Sequence, residues 1–148
     1  MRTDHTDILQ NVSTNEVADT LGLSPQVAEC SVYGVAVPNA DGRCGCATIV
    51  LANGLTPDKV DLSALAQHVI GRLPRYAVPI FLRIAPELSY TGTFKVQKGQ
   101  AKREGIDLDL IEQSGSKDRV FWLPPGSTTY KPFTRAELKS LRDGVVKL

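Results

Sequence analysis

The chain has 148 residues, of which 42% are hydrophobic and 22% are charged. This composition indicates one globular domain and excludes the patterns typical of disordered, collagen-like and disulfide-rich chains. The 17 basic and 16 acidic residues leave a net charge of +1, which excludes a strong charge-driven attraction of the whole molecule to nucleic acid or anionic lipid. Three cysteines, an odd number, indicate a reducing intracellular compartment.

The first half of the chain predicts a helix followed by a β-hairpin. Residues 13–16 (Ser-Thr-Asn-Glu) fit a capping box that opens a short helix, and Gly22 lies near its end. Apolar and small residues then run from Val27 to Val37 and again from Cys46 to Leu51. The sequence Asn-Ala-Asp-Gly at 39–42 is typical of a turn between two such strands, so we expect them to pair antiparallel.

The middle of the chain predicts a second helix and a third strand. Asp61 or Ser63 is suited to cap the helix, and Pro74 prevents it from continuing. Residues 79–84 (Pro-Ile-Phe-Leu-Arg-Ile) form an apolar run of strand length. The apolar residues that repeat at helical spacing are Leu62, Leu65, Ala66, Val69, Ile70 and Leu73.

The last third is less regular. A short helix is predicted after Lys95, and residues 121–123 (Phe-Trp-Leu) are predicted to form an edge strand. Thr134 is suited to cap a final helix that runs through Leu141. The mixture of elements predicts an α+β fold, in which a small mixed or antiparallel sheet with a β-hairpin is covered by helices.

Residues 89–95 (Ser-Tyr-Thr-Gly-Thr-Phe-Lys) have the composition of an anion-binding loop. Gly92 allows the backbone to approach a ligand closely, and the hydroxyl groups of Thr91 and Thr93 can donate hydrogen bonds to phosphate or carboxylate oxygens. Lys95 adds a compact positive charge. From the residues alone, a solvated surface turn remains the alternative.

Residues 88–95 resemble the last motif of the adenylate-forming enzymes, and the form Thr-Gly-Thr-x-Lys is that of the fatty acid transport branch. Three further stretches, at 11–17, 32–43 and 73–79, are similar to that branch in order and spacing. The resemblance extends from Asn11 to the C-terminus. Residues 11–148 are therefore identified as the C-terminal domain of an acyl-CoA synthetase of the very-long-chain type, and residues 1–10 as a divergent N-terminal segment.

The resemblance implies a role in a long- or very-long-chain fatty acid–CoA ligase. In that family a large N-terminal domain binds ATP with Mg²⁺, and the small domain rotates between an adenylation pose and a thioester-forming pose that uses CoA. The role of contacting the acyl carboxylate and the α-phosphate falls on Lys95, with Thr91, Gly92 and Thr93 in the same loop. The partners implied are the large domain, fatty acid, ATP and CoA, with no nucleic acid.

The isolated chain is expected to bind no cofactor and to have no ligase activity, because the phosphate loop and adenine pocket of the family lie in the large domain. Residues 4–10 do not reproduce the family's hinge sequence, which leaves the thioester half-reaction open for this chain. An alternative is a stand-alone protein-interaction module derived from the same domain. The basic residues Lys98, Lys102 and Arg103 fit either a phosphate-contacting surface or a solvated helix face.

The remaining candidate residues favour structural roles. Cys44 and Cys46 lack a second pair of ligands at zinc spacing, and His5 and His68 are isolated, so no metal site is predicted and buried thiols are expected. The aromatic residues Tyr33, Tyr76 and Phe81 are expected in the core. Residues 146–148 (Val-Lys-Leu) resemble the peroxisomal Ser-Lys-Leu signal except for the valine. Relatives of this type occur at peroxisomes and at the endoplasmic reticulum membrane.

Overall fold

The computed structural model describes residues 14–38, 43–85, 104–113 and 118–145. Helix α1 spans Thr14–Gly22 and buries Val17 and Leu21. Strands β1 (Val27–Ala36) and β2 (Arg43–Leu51) pair antiparallel, as predicted. The predicted turn at 39–42 lies outside the described residues.

Helix α2 spans Leu62–Ile70, and of the two predicted caps, Asp61 and Ser63, its N-cap is Asp61. The Ala64 amide donates to Asp61 Oδ1 at 3.0 Å, which satisfies one of the free amides at the helix start. The helix ends before Leu73, which is nevertheless buried, and a 3₁₀ turn at Arg75–Ala77 follows it.

In the described part of the chain, five strands form one sheet in the order β1-β2-β3-β4-β5. Strand β3 (Phe81–Ile84) lies at the centre, parallel to β2 and antiparallel to β4 (Arg119–Trp122). The outer neighbour of β4 is β5, which has only two residues, Lys131–Pro132. The predicted edge position of residues 121–123 is therefore wrong, because β4 is paired on both sides.

Helices cover both faces of the sheet. Helix α3 spans Leu108–Gln113, and α4 spans Arg135–Arg142 with Thr134 as its predicted N-cap. One face of the sheet packs against α1 and α2, through Val32, Ala47, Ile49, Leu82 and Phe121 among others. The opposite face packs against α3 and α4, through Tyr33, Val35, Cys46, Phe81 and Trp122 among others. The predicted α+β class with a small mixed sheet and covering helices is confirmed.

No helix in the described ranges is long and apolar enough to cross a membrane.

Candidate functional site

The residues predicted to contact substrate, Thr91, Gly92, Thr93 and Lys95, lie outside the described residues. What the structure describes is the two places where their segment joins the domain. The chain enters the segment at Ala85, directly after β3, and returns to described structure at Glu104. The candidate site is therefore connected to the central strand of the sheet.

Ala85 is fixed to the sheet by its backbone. Its amide donates to the Ile49 carbonyl at 3.0 Å, which extends the parallel pairing of β2 and β3 by one bond. All four residues of β3 are buried, since the strand has a neighbour on each side and helices on both faces. Strands in such central positions are among the last parts of a domain to open.

Glu104 is fixed to the same strand by a side chain. The guanidinium of Arg83 donates from Nη1 to Glu104 Oε1 at 2.7 Å, and from Nε to Asp118 Oδ2 at 2.8 Å. The exposed fractions of the three side chains are 7%, 9% and 13% for Arg83, Glu104 and Asp118. One cation of β3 thus links two chain segments that are far from it in sequence.

Burial alone would lower the pKa of Arg83, since it penalises the charged form. The hydrogen bonds and charges of Asp118 and Glu104 outweigh that effect, so the pKa of Arg83 lies above its usual value. The guanidinium is therefore charged at neutral pH.

Other polar groups lie on the same side of the sheet. Ser31, Thr48 and Arg83 are partners in register across β1, β2 and β3. The hydroxyl groups of Tyr33 and Thr48 are 2.6 Å apart and share a hydrogen bond. Ser31 Oγ is buried without a hydrogen-bond partner within the described ranges. This face of the sheet is therefore polar at the end nearest Ala85 and apolar beyond it.

The cysteines have the character of structural thiols. Cys46 is 2% exposed, and its Sγ lies 3.6 Å from Tyr33 Oη. Burial raises the pKa of Cys46 to about 12, so it remains a neutral thiol near pH 7. The expected burial is confirmed for Cys46, whereas Cys44 is only partly buried.

Among the residues that the structure describes, no group of three His, Cys, Asp or Glu side chains could hold a metal ion. His68 instead connects two helices, because its Nε2 lies 2.7 Å from the Thr20 carbonyl oxygen of α1.

Two of the three aromatic residues predicted in the core are buried there, Tyr33 and Phe81. The prediction is wrong for Tyr76, whose side chain is 58% exposed. It lies in the middle of the 3₁₀ turn, which directs the following residues Ala77 and Val78 into the core. An apolar sequence context therefore did not decide the direction of a side chain in a tight turn.

The sequence interpretation missed the three-residue network of Arg83, Glu104 and Asp118. A signal was present, since Arg83 is the only charged residue in the apolar run 79–84. A charged residue inside a buried strand requires partners of opposite charge. The sequence does not say which carboxylates provide them, because the two partners are 21 and 35 residues away.

The sequence matches the family model described as the AMP-binding enzyme C-terminal domain, over residues 16–95. It is 50% identical over 141 residues to a very long-chain fatty acid transport protein of Cochliobolus heterostrophus. It is also 44% identical over 133 residues to isopenicillin N epimerase component 1 of Hapsidospora chrysogena. These alignments cover 94% and 86% of this chain, but the chain spans only about a fifth of either relative, 21% and 22%.

Solved structures show the same fold. An acyl-CoA synthetase of Brucella canis aligns with a TM-score of 0.54 and 28% identity, over 68% of this chain and 18% of that one. ATP-bound MatB of Rhodopseudomonas palustris aligns with a TM-score of 0.54 and 26% identity, over 62% and 18%.

Proposed function

Because this chain belongs to the AMP-binding enzyme C-terminal domain family, we propose that it is the mobile small domain of a long- or very-long-chain fatty acid–CoA ligase. The chain corresponds to the C-terminal domain of fatty acyl-CoA synthetase-like proteins. The observation that carries the proposal is the 50% identity, over nearly the whole chain, to a very long-chain fatty acid transport protein. Residues 11–148 form the proposed domain, and residues 1–10 precede it.

The proposed reaction has two steps. In the first, a carboxylate oxygen of the fatty acid bonds to the α-phosphorus of ATP and pyrophosphate leaves. In the second, the sulfur of CoA attacks the acyl carbon and AMP leaves. The relatives are about five times as long as this chain, which leaves space for a large domain. That large domain would bind ATP with its Mg²⁺.

Lys95 is proposed to act in the first step, where negative charge concentrates on the carboxylate and α-phosphate oxygens. A single well-placed donor in a site partly closed to water contributes roughly 10²–10³ in rate. Thr91 and Thr93 would donate hydrogen bonds beside it, and Gly92 would let the backbone approach the nucleotide. The family match supports this assignment because it extends to residue 95.

The experiment uses a fusion protein in which residues 11–148 replace the matching region of the Cochliobolus heterostrophus relative. Fatty-acid-dependent exchange of pyrophosphate into ATP measures the first step. Exchange is expected in the fusion protein and at least 100-fold less in its Lys95→Ala variant. Lys59→Ala is the matched control, since it removes an exposed lysine outside the motif, and it should stay within about twofold.

Equal exchange in Lys95→Ala and in the unchanged fusion would contradict the catalytic proposal and favour an interaction module. The acyl substrate needs its own comparison, because the second relative is named for isopenicillin N epimerase. Oleic acid, a C24 fatty acid and isopenicillin N should be assayed side by side. Exchange with isopenicillin N alone would contradict the fatty acid assignment.

The proposed location is an intracellular organelle, the peroxisome or the endoplasmic reticulum, with membrane association provided by the full-length protein. The name of the relatives, fatty acid transport protein, supports a location at which fatty acids are taken up and activated. Fractionation of cells that express the full-length protein tests this. Recovery in the soluble cytosolic fraction would contradict it.

A further inference from the structure

We propose that Arg83 is a positioning residue for residues 86–103, the segment that carries Lys95. Arg83 lies in the central strand, and its side chain bonds to Glu104, the first described residue after that segment. The inference rests on the proposed function for the chemistry of Lys95. Its structural part, that the Arg83 side chain fixes the exit junction at Glu104 and supports the entry junction two residues further along the chain, is independent of that function and is tested separately.

The two junctions are held in different ways. At the entry, the Ala85 amide bonds to the Ile49 carbonyl, and Ala85 lies two residues after Arg83, directly after strand β3. At the exit, the Glu104 carboxylate bonds to Arg83 Nη1 at 2.7 Å. Both junctions of an 18-residue segment therefore depend on one strand.

The bond from Arg83 to Asp118 fixes the orientation of the guanidinium. Arg83 Nε donates to Asp118, which directly precedes β4, while Nη1 donates to Glu104. A guanidinium offers donors in a rigid planar fork, so binding one carboxylate orients the donor for the other. A lysine has one nitrogen at that place and cannot reproduce this double orientation.

Arg119, an exposed arginine of the same domain, lacks this arrangement. Arg119 Nη1 lies 3.4 Å from Asp58 Oδ1, and their side chains are 48% and 81% exposed. Water competes for such pairs, so they fix little. Arg119 is the matched control, because it is an arginine on the adjacent strand, opposite Ile84, and its carboxylate partner among the described residues is Asp58 alone.

The functional consequence is geometric. A catalytic lysine accelerates the reaction only if it reaches the reacting oxygens within a small error of position, and errors of about 1 Å can cost about 10²-fold. Residues that are locked by packing and hydrogen bonds supply such positions. The backbone bond at Ala85 and the carboxylate bond at Glu104 give two fixed ends to the connection that carries Lys95.

The structural part is tested by amide hydrogen exchange of the 148-residue chain. The triple variant Arg83→Met, Glu104→Gln and Asp118→Asn removes all three charges together, so that no buried carboxylate is left facing an uncharged side chain. Two amides report on the junctions: Ala85, and Asp107, which donates to the Glu104 carbonyl. We expect both to exchange at least 10-fold faster, with the amides of β1 and β2 within twofold of wild type.

Arg83→Lys should give exchange rates between wild type and the triple variant, and Arg119→Met should change none of them. Unchanged exchange at Ala85 and Asp107 in the triple variant would overturn the proposal. An equal increase at every amide would overturn it as well, because Arg83 would then act only through global stability.

The functional part is tested in the fusion protein described above. The triple variant should lower acyl-adenylate formation at least 10-fold, while thioester formation from pre-made acyl-adenylate and CoA stays within threefold. Equal losses in both steps would overturn a positioning role. If Lys95→Ala is inactive and the triple variant adenylates normally, only this inference fails. If Lys95→Ala is fully active, the proposed function fails, and the exchange data still decide the structural part.

Discussion

Arg83 and Arg119 lie on neighbouring strands, yet the domain depends on them to different degrees. Arg83→Met alone removes the cation that the buried Glu104 and the partly buried Asp118 face, and breaking a buried pair in this way typically costs about 3–5 kcal/mol. Arg119→Met breaks an exposed pair at 3.4 Å and should cost less than about 1 kcal/mol. Urea denaturation of both variants measures the difference. Similar midpoints for the two would mean that the Arg83 network contributes no more than a surface pair.

Cys46 should make the stability of the domain depend on alkaline pH. Burial raises the pKa of Cys46 from 9.0 to about 12, so the folded state holds its proton more tightly than the unfolded state. The resulting stability is fully present below pH 9 and is lost as the pH rises from 9 towards 12. Between pH 8.5 and 10, wild type should lose about 1 kcal/mol more than Cys46→Ala.

This comparison requires urea denaturation of both proteins at several pH values, with each curve referred to its own value at pH 7. The reference removes the cost of the cavity that alanine leaves, because that cost does not depend on pH. Burial raises the pKa of Tyr33 and Tyr130 as well, and both residues remain in the variant. Parallel curves from pH 7 to 10 would show that Cys46 titrates alike in the folded and unfolded states.

At the scale of single elements, α2 offers a clean test of capping. Asp61→Ala removes the acceptor of the Ala64 amide and should cost about 1 kcal/mol. The bonds between the Asp61 backbone and the Gln26 side chain, at 2.7 and 3.1 Å, remain possible in the variant. Asp58→Ala, in an 81% exposed side chain just before the helix, is the control and should cost less than about 0.5 kcal/mol. Equal losses of stability in thermal denaturation would show that the Asp61 cap does not stabilise the helix.

The elements that the sequence predicts well are those with local signals. Asp61 and Thr134 each precede an amphipathic run, so the starts of α2 and α4 can be predicted from a few neighbouring residues. Strand β5 has two residues, one of which is Pro132, and no local pattern indicates it. Its pairing with Phe121 and Trp122 depends on the closure of the whole sheet. The internal position of β4 was missed for that reason.

Some residues of the candidate site can likewise be recognised from local sequence, and others cannot. The motif at 89–95 can be recognised from consecutive residues, and Arg83 can be noticed as a charge in an apolar strand. The pairing of Arg83 with Glu104 and Asp118 arises only when three segments meet at one end of the sheet. Contacts between residues distant in sequence depend on topology, which short-range patterns do not encode.

At the scale of the whole molecule, the chain spans about a fifth of its curated relatives, so its chemistry is proposed to depend on a second domain. The isolated chain should therefore catalyse no fatty-acid-dependent exchange of pyrophosphate into ATP. The assay needs protein purified free of host synthetases, with a protein-free blank. Exchange above that blank that persists through a second purification step would show that this chain holds an ATP site of its own.

Lys95 should separate the two half-reactions of the complete enzyme. In the proposed function it meets charge on the carboxylate and α-phosphate only during adenylation, while thioester formation uses a different face of the domain. Lys95→Ala in the fusion protein should therefore cost about 3–4 kcal/mol in the first step, roughly 10²–10³ in rate, and little in the second. Lys95→Arg should restore little, because a planar fork does not replace a compact ammonium.

Single-turnover formation of acyl-adenylate, measured beside thioester formation from pre-made acyl-adenylate, gives both rates. Equal losses in the two steps would mean that Lys95 acts through folding or domain docking, since a contact made only during adenylation cannot slow a reaction that starts after it.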